Sequence, residues 1–244
     1  MKISALANYS YIPKNIKNNQ NLKNNISVDK RQIAFCANNP YNLDYYENGK
    51  NSGISCYNGN HFYRPDLAVP TCNACAKLLD LKPNETILDF GCAFGFYVKG
   101  FRSLGYDAKG FDISEYATSM ADADVKPYIS NKRPEEKFDC IVSKDVLEHV
   151  PYEELAETLS YIKNHSKKSL IVVPLADNGK YRVPENEKDV THIIREDENW
   201  WQEQFQKAGL NVKKVQYELP PIKQKQTSAY PTGTAFFLLE SKEN

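Results

Sequence analysis

Apolar positions change their period repeatedly along this chain, and the changes mark the elements. Residues 66–81, "DLAVPTCNACAKLLDL", carry apolar side chains at helical spacing, and Pro83-Asn84 breaks the run. "TILDF" (86–90) is a short apolar run and predicts a strand. "GFYVKGFRSLG" (95–105) predicts a helix with Gly105 as its stop. The same alternation continues with a strand in "YDAKGFDIS" (106–114), a short helix in "EYATSMA" (115–121) and a weak strand in "VKPYIS" (125–130). "FDCIVSKD" (138–145) predicts a strand, and "PYEELAETLSYIKNHS" (151–166) a helix opened by Pro151. "SLIVVPL" (169–175) predicts a buried strand. "EDENWWQEQFQKAGL" (196–210) predicts an amphipathic helix with acids in its first turn and Gly209 at its end, its Trp200, Trp201 and Phe205 serving as core. "NVKKVQYEL" and "GTAFFLLE" close the chain as two strands without a helix between them, which predicts an antiparallel pair at one sheet edge. Strands alternating with helices predict a parallel, doubly wound α/β sheet covered on both faces.

The first 48 residues break this rhythm. Six asparagines between positions 15 and 25 are interleaved with Lys14, Lys17 and Lys23, and no acid precedes Asp29. Such a stretch buries too little apolar surface to offset its ordering entropy, so residues 1–48 are expected to be a flexible tail. Residues 49–84 would form an N-terminal lid and a helix leading into the core, and residues 85–244 the main domain. The aromatic residues Tyr57, Phe62 and Tyr63 are expected to cover the first helix; the alternative is that this segment folds over a ligand.

Composition narrows the functional classes. Over 244 residues the formal net charge is +0, which argues against nucleic acid gripped by bulk electrostatics. No apolar run approaches the roughly 20 residues of a membrane span, and the start lacks a secretory h-region. The expectation is a cytoplasmic protein with no membrane partner, whose six cysteines are reduced thiols. Cys72-x-x-Cys75 with Cys56 and His61 would supply four zinc ligands, but the spacing is irregular and the two cysteines share a helix face with Leu79, so no metal site is assigned. His61 and His165, like the runs "KNHSKK" and "IKQKQ", read as surface.

The chemistry concentrates in "LDFGCAFG" and "GFDIS". In a doubly wound sheet, ligands bind at the carboxyl ends of the central strands. Gly91 and Gly95 let the backbone of the first turn approach a ligand, and Asp112 lies 21 residues after Gly91 at the end of the next strand, where a carboxylate accepts both hydroxyls of a ribose. A dinucleotide needs G-x-G-x-x-G for its pyrophosphate, and "GCAFGF" does not meet it. S-adenosylmethionine carries no phosphate, and Asp89 is placed to suit its ammonium.

Together with "FDCIVSKDVLEHVP", these segments resemble class I S-adenosylmethionine-dependent methyltransferases of the broad small-molecule-type group. The resemblance implies a Rossmann-like doubly wound seven-stranded, mostly parallel sheet with a reversed last strand. It implies S-adenosyl-L-methionine as cofactor, with Asp89, Gly91, Cys92, Ala93 and Gly95 in the first loop, Asp112 on the ribose, Ile113 on adenine, and Ser143 and Lys144 beside the methionine moiety. Ala93 stands where the family usually has a glycine. Ser130 or Asn131 is the expected partner of the adenine amino group.

Methyl transfer requires mainly positioning, with a base to remove the acceptor's proton. His149 is the first candidate, because its ordinary pKa of about 6.5 suits neutral pH. His192, in a polar and aromatic loop with Tyr181, Arg182 and Arg195, is the second, and Asp145 the third. The function expected is methyl transfer to a small-molecule acceptor. The rivals are a nicotinamide-dependent oxidoreductase and a methyltransferase-like protein that binds without turnover.

Overall fold

The computed structural model of the protein describes residues 39–59 and 61–242. The first 38 residues of the expected tail, Cys36 among them, lie outside the described residues. Residues 39–48 do not behave as a tail: a π-helical turn, Asp44–Asn48, continues into Gly49–Ser52, and Tyr41, Tyr45 and Tyr46 are buried. Aromatic area of this size supplies the apolar burial that the preceding asparagines lack.

Helix α1 (Pro65–Leu78) leads into strand β1 (Thr86–Phe90). The chain then winds through α2 (Phe96–Ser103), β2 (Asp107–Phe111), α3 (Glu115–Ser119), β3 (Ile129–Ser130) and β4 (Phe138–Lys144). Next come α4 (Tyr152–His165), β5 (Ser166–Pro174), α5 (Glu198–Lys207), β6 (Leu210–Gln216), α6 (Gln224–Ala229) and β7 (Thr234–Ser241). The seven strands lie in the order β3-β2-β1-β4-β5-β7-β6. All neighbours are parallel except β7, which runs antiparallel to both β5 and β6. The last strand in sequence is thus inserted inside the sheet, and β6 takes the edge. "TAFFLLE" explains the placement: Ala235, Phe236, Phe237 and Leu239 are fully buried on alternating faces, a burden only an interior strand can meet.

Two cores sandwich the sheet. Trp201, Phe205, Leu159 and Ile162 pack on one face with Ile141 and Phe237, as the tryptophan spacing predicts. Cys72, Cys75, Phe101 and Val98 pack on the other with Ile87 and Phe236. Cys72 and Cys75 are small apolar fillers here, and the five described cysteines are free thiols. The connection between the last two strands is not a bare loop, because it contains α6. The third strand is only two residues long.

Candidate active site at the carboxyl ends of the strands

The chain turns from β1 into α2 through Gly91, Cys92, Ala93, Phe94 and Gly95. Gly91 has φ +86°, and a Cβ there would meet Val146 Cγ2 at 2.2 Å, so only glycine fits between β1 and the loop after β4. Ala93 also takes a left-handed conformation, φ 46°, where the family pattern has glycine. Four of the five loop amides have partners inside the fold. Gly91 N and Cys92 N both donate to Phe111 O (2.7 and 3.0 Å), Gly95 N donates to Cys92 O (2.8 Å), and Ala93 N donates to Asp112 Oδ2 (2.8 Å). Amides so engaged cannot cradle a pyrophosphate, which needs free N–H groups at a helix start.

Asp112 is buried and also accepts from Ser114 N at 2.8 Å through Oδ1. Burial raises its pKa, and these two amides oppose the rise. Asp89 is 2% exposed, and its Oδ2 has no partner; burial, then the charge of Asp112, pushes its carboxyl up to about 7. Ser143, at the end of the adjacent strand β4, is likewise buried with an unpartnered Oγ.

A pocket of about 810 Å³, counting its open mouth, lies over these strand ends. Gly91, Ala93, Asp112, Ile113, Asp145 and His149 line it. Of the other expected cofactor residues, Cys92 turns toward the sheet, since a Cβ on Gly110 would meet its Sγ at 2.7 Å. Lys144 is engaged elsewhere: its Nζ lies 2.5 Å from Asp145 Oδ2 and 5.8 Å from the centre of the Tyr97 ring. Ser130 and Asn131 do not reach the pocket wall; Arg133 does, over the rings of Phe90, Phe111 and Tyr161.

The roof is the segment 39–59. Tyr41, Tyr45, Tyr46 and Tyr57 line the pocket, so Tyr57 does not cover α1. Tyr63 packs on Phe96 of α2 instead, and Phe62 is exposed. The roof is tied to the site at four points. Asn39 Nδ2 donates to Ile113 O (2.7 Å), Ser114 Oγ to Tyr41 O (2.6 Å), Tyr45 OH to Asp189 Oδ2 (2.8 Å) and Tyr116 OH to Glu47 Oε1 (2.6 Å). His61 is no surface residue: its ring stacks on Phe94 at 4.3 Å, and its Nε2 lies 2.9 Å from Tyr46 O. His61, Cys56, Cys72 and Cys75 do not come together as ligands among the described residues. The tyrosines escape a reading by composition because they fall within the first 48 residues, which the asparagine-rich stretch marks as a tail; "YNLDYYEN" with its returning acids is the signal that marks the change.

The three candidate catalytic residues do converge. Asp145, with φ 56°, is clasped by Lys144 and by Lys223 Nζ, each at 2.5 Å. Burial would push its carboxyl up, but the two lysines outweigh it and hold it well below the usual range, which makes it an ionised anchor and a poor base. Lys223, from the "IKQKQ" run expected to be surface, thus belongs to the site. His149 and His192 meet edge to face with ring centres 4.6 Å apart. Burial, then His192, holds the His149 pKa down to about 4, and burial lowers that of His192. His149 is therefore a neutral imidazole at physiological pH.

A methyltransferase-domain family model matches residues 61–215. No curated protein matches the chain. Among solved structures, the fold is similar to that of a TehB-like SAM-dependent methyltransferase from Corynebacterium glutamicum, at 17% identity and TM-score 0.52, over 80% of this chain and 94% of that one. It is similar to a SAM-dependent methyltransferase from Archaeoglobus fulgidus, at 14% identity and TM-score 0.55, over 72% and 94% of the two chains. A third similar structure is magnesium protoporphyrin IX methyltransferase from Synechocystis PCC 6803 with bound SAH, at 15% identity and TM-score 0.54, over 70% and 82%.

Proposed function

The chain belongs to the methyltransferase-domain family, and from that membership we propose that it methylates a small-molecule acceptor in the pocket beneath the tyrosine roof. It is a methyltransferase that uses S-adenosylmethionine. One observation carries the small-acceptor reading: four tyrosines from segment 39–59 roof the pocket over the strand ends, which favours a small molecule over a polymer.

The residues present fit the cofactor. The unpartnered Asp89 Oδ2 and Ser143 Oγ are what an ammonium and carboxylate tail would satisfy, and burying them without a partner is otherwise unfavourable. Asp112 would hold the ribose, and the half-exposed Ile113 would pack on adenine. The engaged loop amides speak for a phosphate-free ligand and against a nicotinamide dinucleotide. Bound there, the cofactor supplies an electrophilic methyl group. The protein's own part is to hold the acceptor in line, exclude water and receive its proton. His149, which lines the pocket as a neutral imidazole with His192 against its ring, is the residue we assign to receive it.

The test is calorimetric titration with S-adenosylhomocysteine, with NAD as control, on wild type and Asp112→Ala, followed by label transfer from methyl-labelled cofactor to pools of small hydroxyl and amine compounds, RNA and protein. Binding lost in the variant, with label entering the small-molecule pool alone, supports the reading. Absence of binding to folded wild type would remove it, and label in RNA or protein would replace the acceptor class.

A further inference from the structure

One cluster has a composition that proton transfer does not require. Glu148 sits in the turn Leu147–His149, directly after β4. It is 1% exposed, and neither carboxylate oxygen has a partner. His149 follows it. His192 arrives from the loop after β5, which is pinned in place because Ile193 N and Ile194 N both donate to Glu148 O (2.7 and 2.9 Å). One ligand atom from each of Glu148, His149 and His192 lies within 4.8 Å of the other two.

The hydrogen bonds around the two imidazoles fix their tautomers. Thr191 Oγ1 donates its only proton to Asp189 Oδ1 at 2.6 Å, so it accepts from His149 Nδ1 at 2.8 Å. His192 Nδ1 lies 2.8 Å from Asn186 O, a carbonyl that can only accept. Both rings therefore carry their proton on Nδ1 and leave Nε2 with a bare lone pair. An outer hydroxyl–carboxylate or carbonyl partner on the second ring nitrogen is the arrangement that orients metal-binding histidines. Asp145 is not part of the set, since Lys144 and Lys223 engage it.

We propose that Glu148, His149 and His192 bind a divalent transition-metal ion at the acceptor end of the pocket. Two imidazole nitrogens and one carboxylate oxygen suit ions such as manganese, iron, cobalt or zinc better than calcium or magnesium, which prefer all-oxygen sets. Three protein ligands leave coordination positions open, and His149 opens them onto the pocket. An acceptor hydroxyl bound there would be acidified by the ion and would release its proton to water at the mouth of the pocket, so His149 would serve as a ligand and no longer as the base. That acidification rests on the methyl-transfer reading; the binding of the ion does not.

The experiment is titration of chelator-stripped full-length protein with cobalt(II), followed by its visible absorption and by equilibrium dialysis. One equivalent is expected in wild type, with stoichiometric uptake lost in His192→Ala and Glu148→Gln. In Thr191→Val, which leaves the three ligands in place but removes the hydroxyl that joins His149 Nδ1 to Asp189, affinity should fall about ten- to a hundredfold. Should the variants fail to fold, cobalt protection of His149 and His192 from diethylpyrocarbonate in wild type, read by mass spectrometry against His165, gives the same answer. No uptake by wild type, uptake retained in both ligand variants, or no protection of the two histidines overturns the proposal. S-adenosylhomocysteine titration of the same sample separates the two failures: binding without cobalt uptake removes the metal site alone, and no binding removes the methyl-transfer reading.

Discussion

Asp112, at the end of β2, accepts a hydrogen bond from the amide of Ala93 in the β1–α2 turn at 2.8 Å. One carboxylate therefore shapes the turn and faces the pocket. Asp112→Ala should weaken S-adenosylhomocysteine binding by about 2–3 kcal/mol, the scale of a lost hydrogen bond to a charged group, which is roughly 30- to 150-fold in Kd. Asp112→Asn, which keeps an acceptor for one amide, should lose less. Calorimetry checks the order; equal affinity in all three proteins would refute the ribose role.

Gly91→Ala tests the approach of the turn to Val146. The substitution meets a positive φ and a contact at 2.2 Å together, and should destabilise the fold by about 2–4 kcal/mol. Gly91→Ala combined with Val146→Ala should recover the steric part but not the backbone part. Denaturant midpoints of the two variants measure the split.

Cofactor binding is expected to depend on pH through Asp89. Its folded pKa stands near 7 because of burial and Asp112, whereas an unfolded chain ionises it near its ordinary 3.8. The sign follows: the unfolded state loses this proton first, so the contribution of Asp89 to stability falls as pH rises from about 4 to about 7. A ligand ammonium favours the ionised form. Affinity for S-adenosylhomocysteine should thus drop below pH 7 by up to about tenfold per unit, with proton release on binding. Calorimetry in buffers of different ionisation enthalpy detects the proton, and Asp89→Asn should abolish both effects.

Lys223→Ala removes one of the two cations on Asp145. The remaining pair with Lys144 keeps the carboxylate ionised, so the loss should be moderate, about 1–3 kcal/mol. Lys223→Arg should retain part of it. A variant as stable as wild type would show that the clasp contributes nothing to the fold.

The order of elements was legible from the chain because apolar period and glycine placement are local properties. "TILDF", "FDCIVSKD" and "SLIVVPL" could hardly be anything but strands, and Gly91 and Asp112 at their spacing marked the end of the sheet over which the pocket lies. Three things waited for the tertiary structure. Tyr41, Tyr45 and Tyr46 follow a stretch whose composition favours disorder, and their burial depends on Phe94 and Tyr116, which are distant in sequence. Lys223 reads as a solvated lysine until the connection between β6 and α6 brings it across 78 residues to Asp145. His149 was recognisable as a candidate, but its tautomer was set by Thr191 and Asp189, and its alignment with Glu148 and His192 by a loop more than 40 residues away. Patterns repeat within a helix turn or a strand and so survive in sequence. Coordination and hydrogen-bond geometry join residues that only the folded chain makes neighbours.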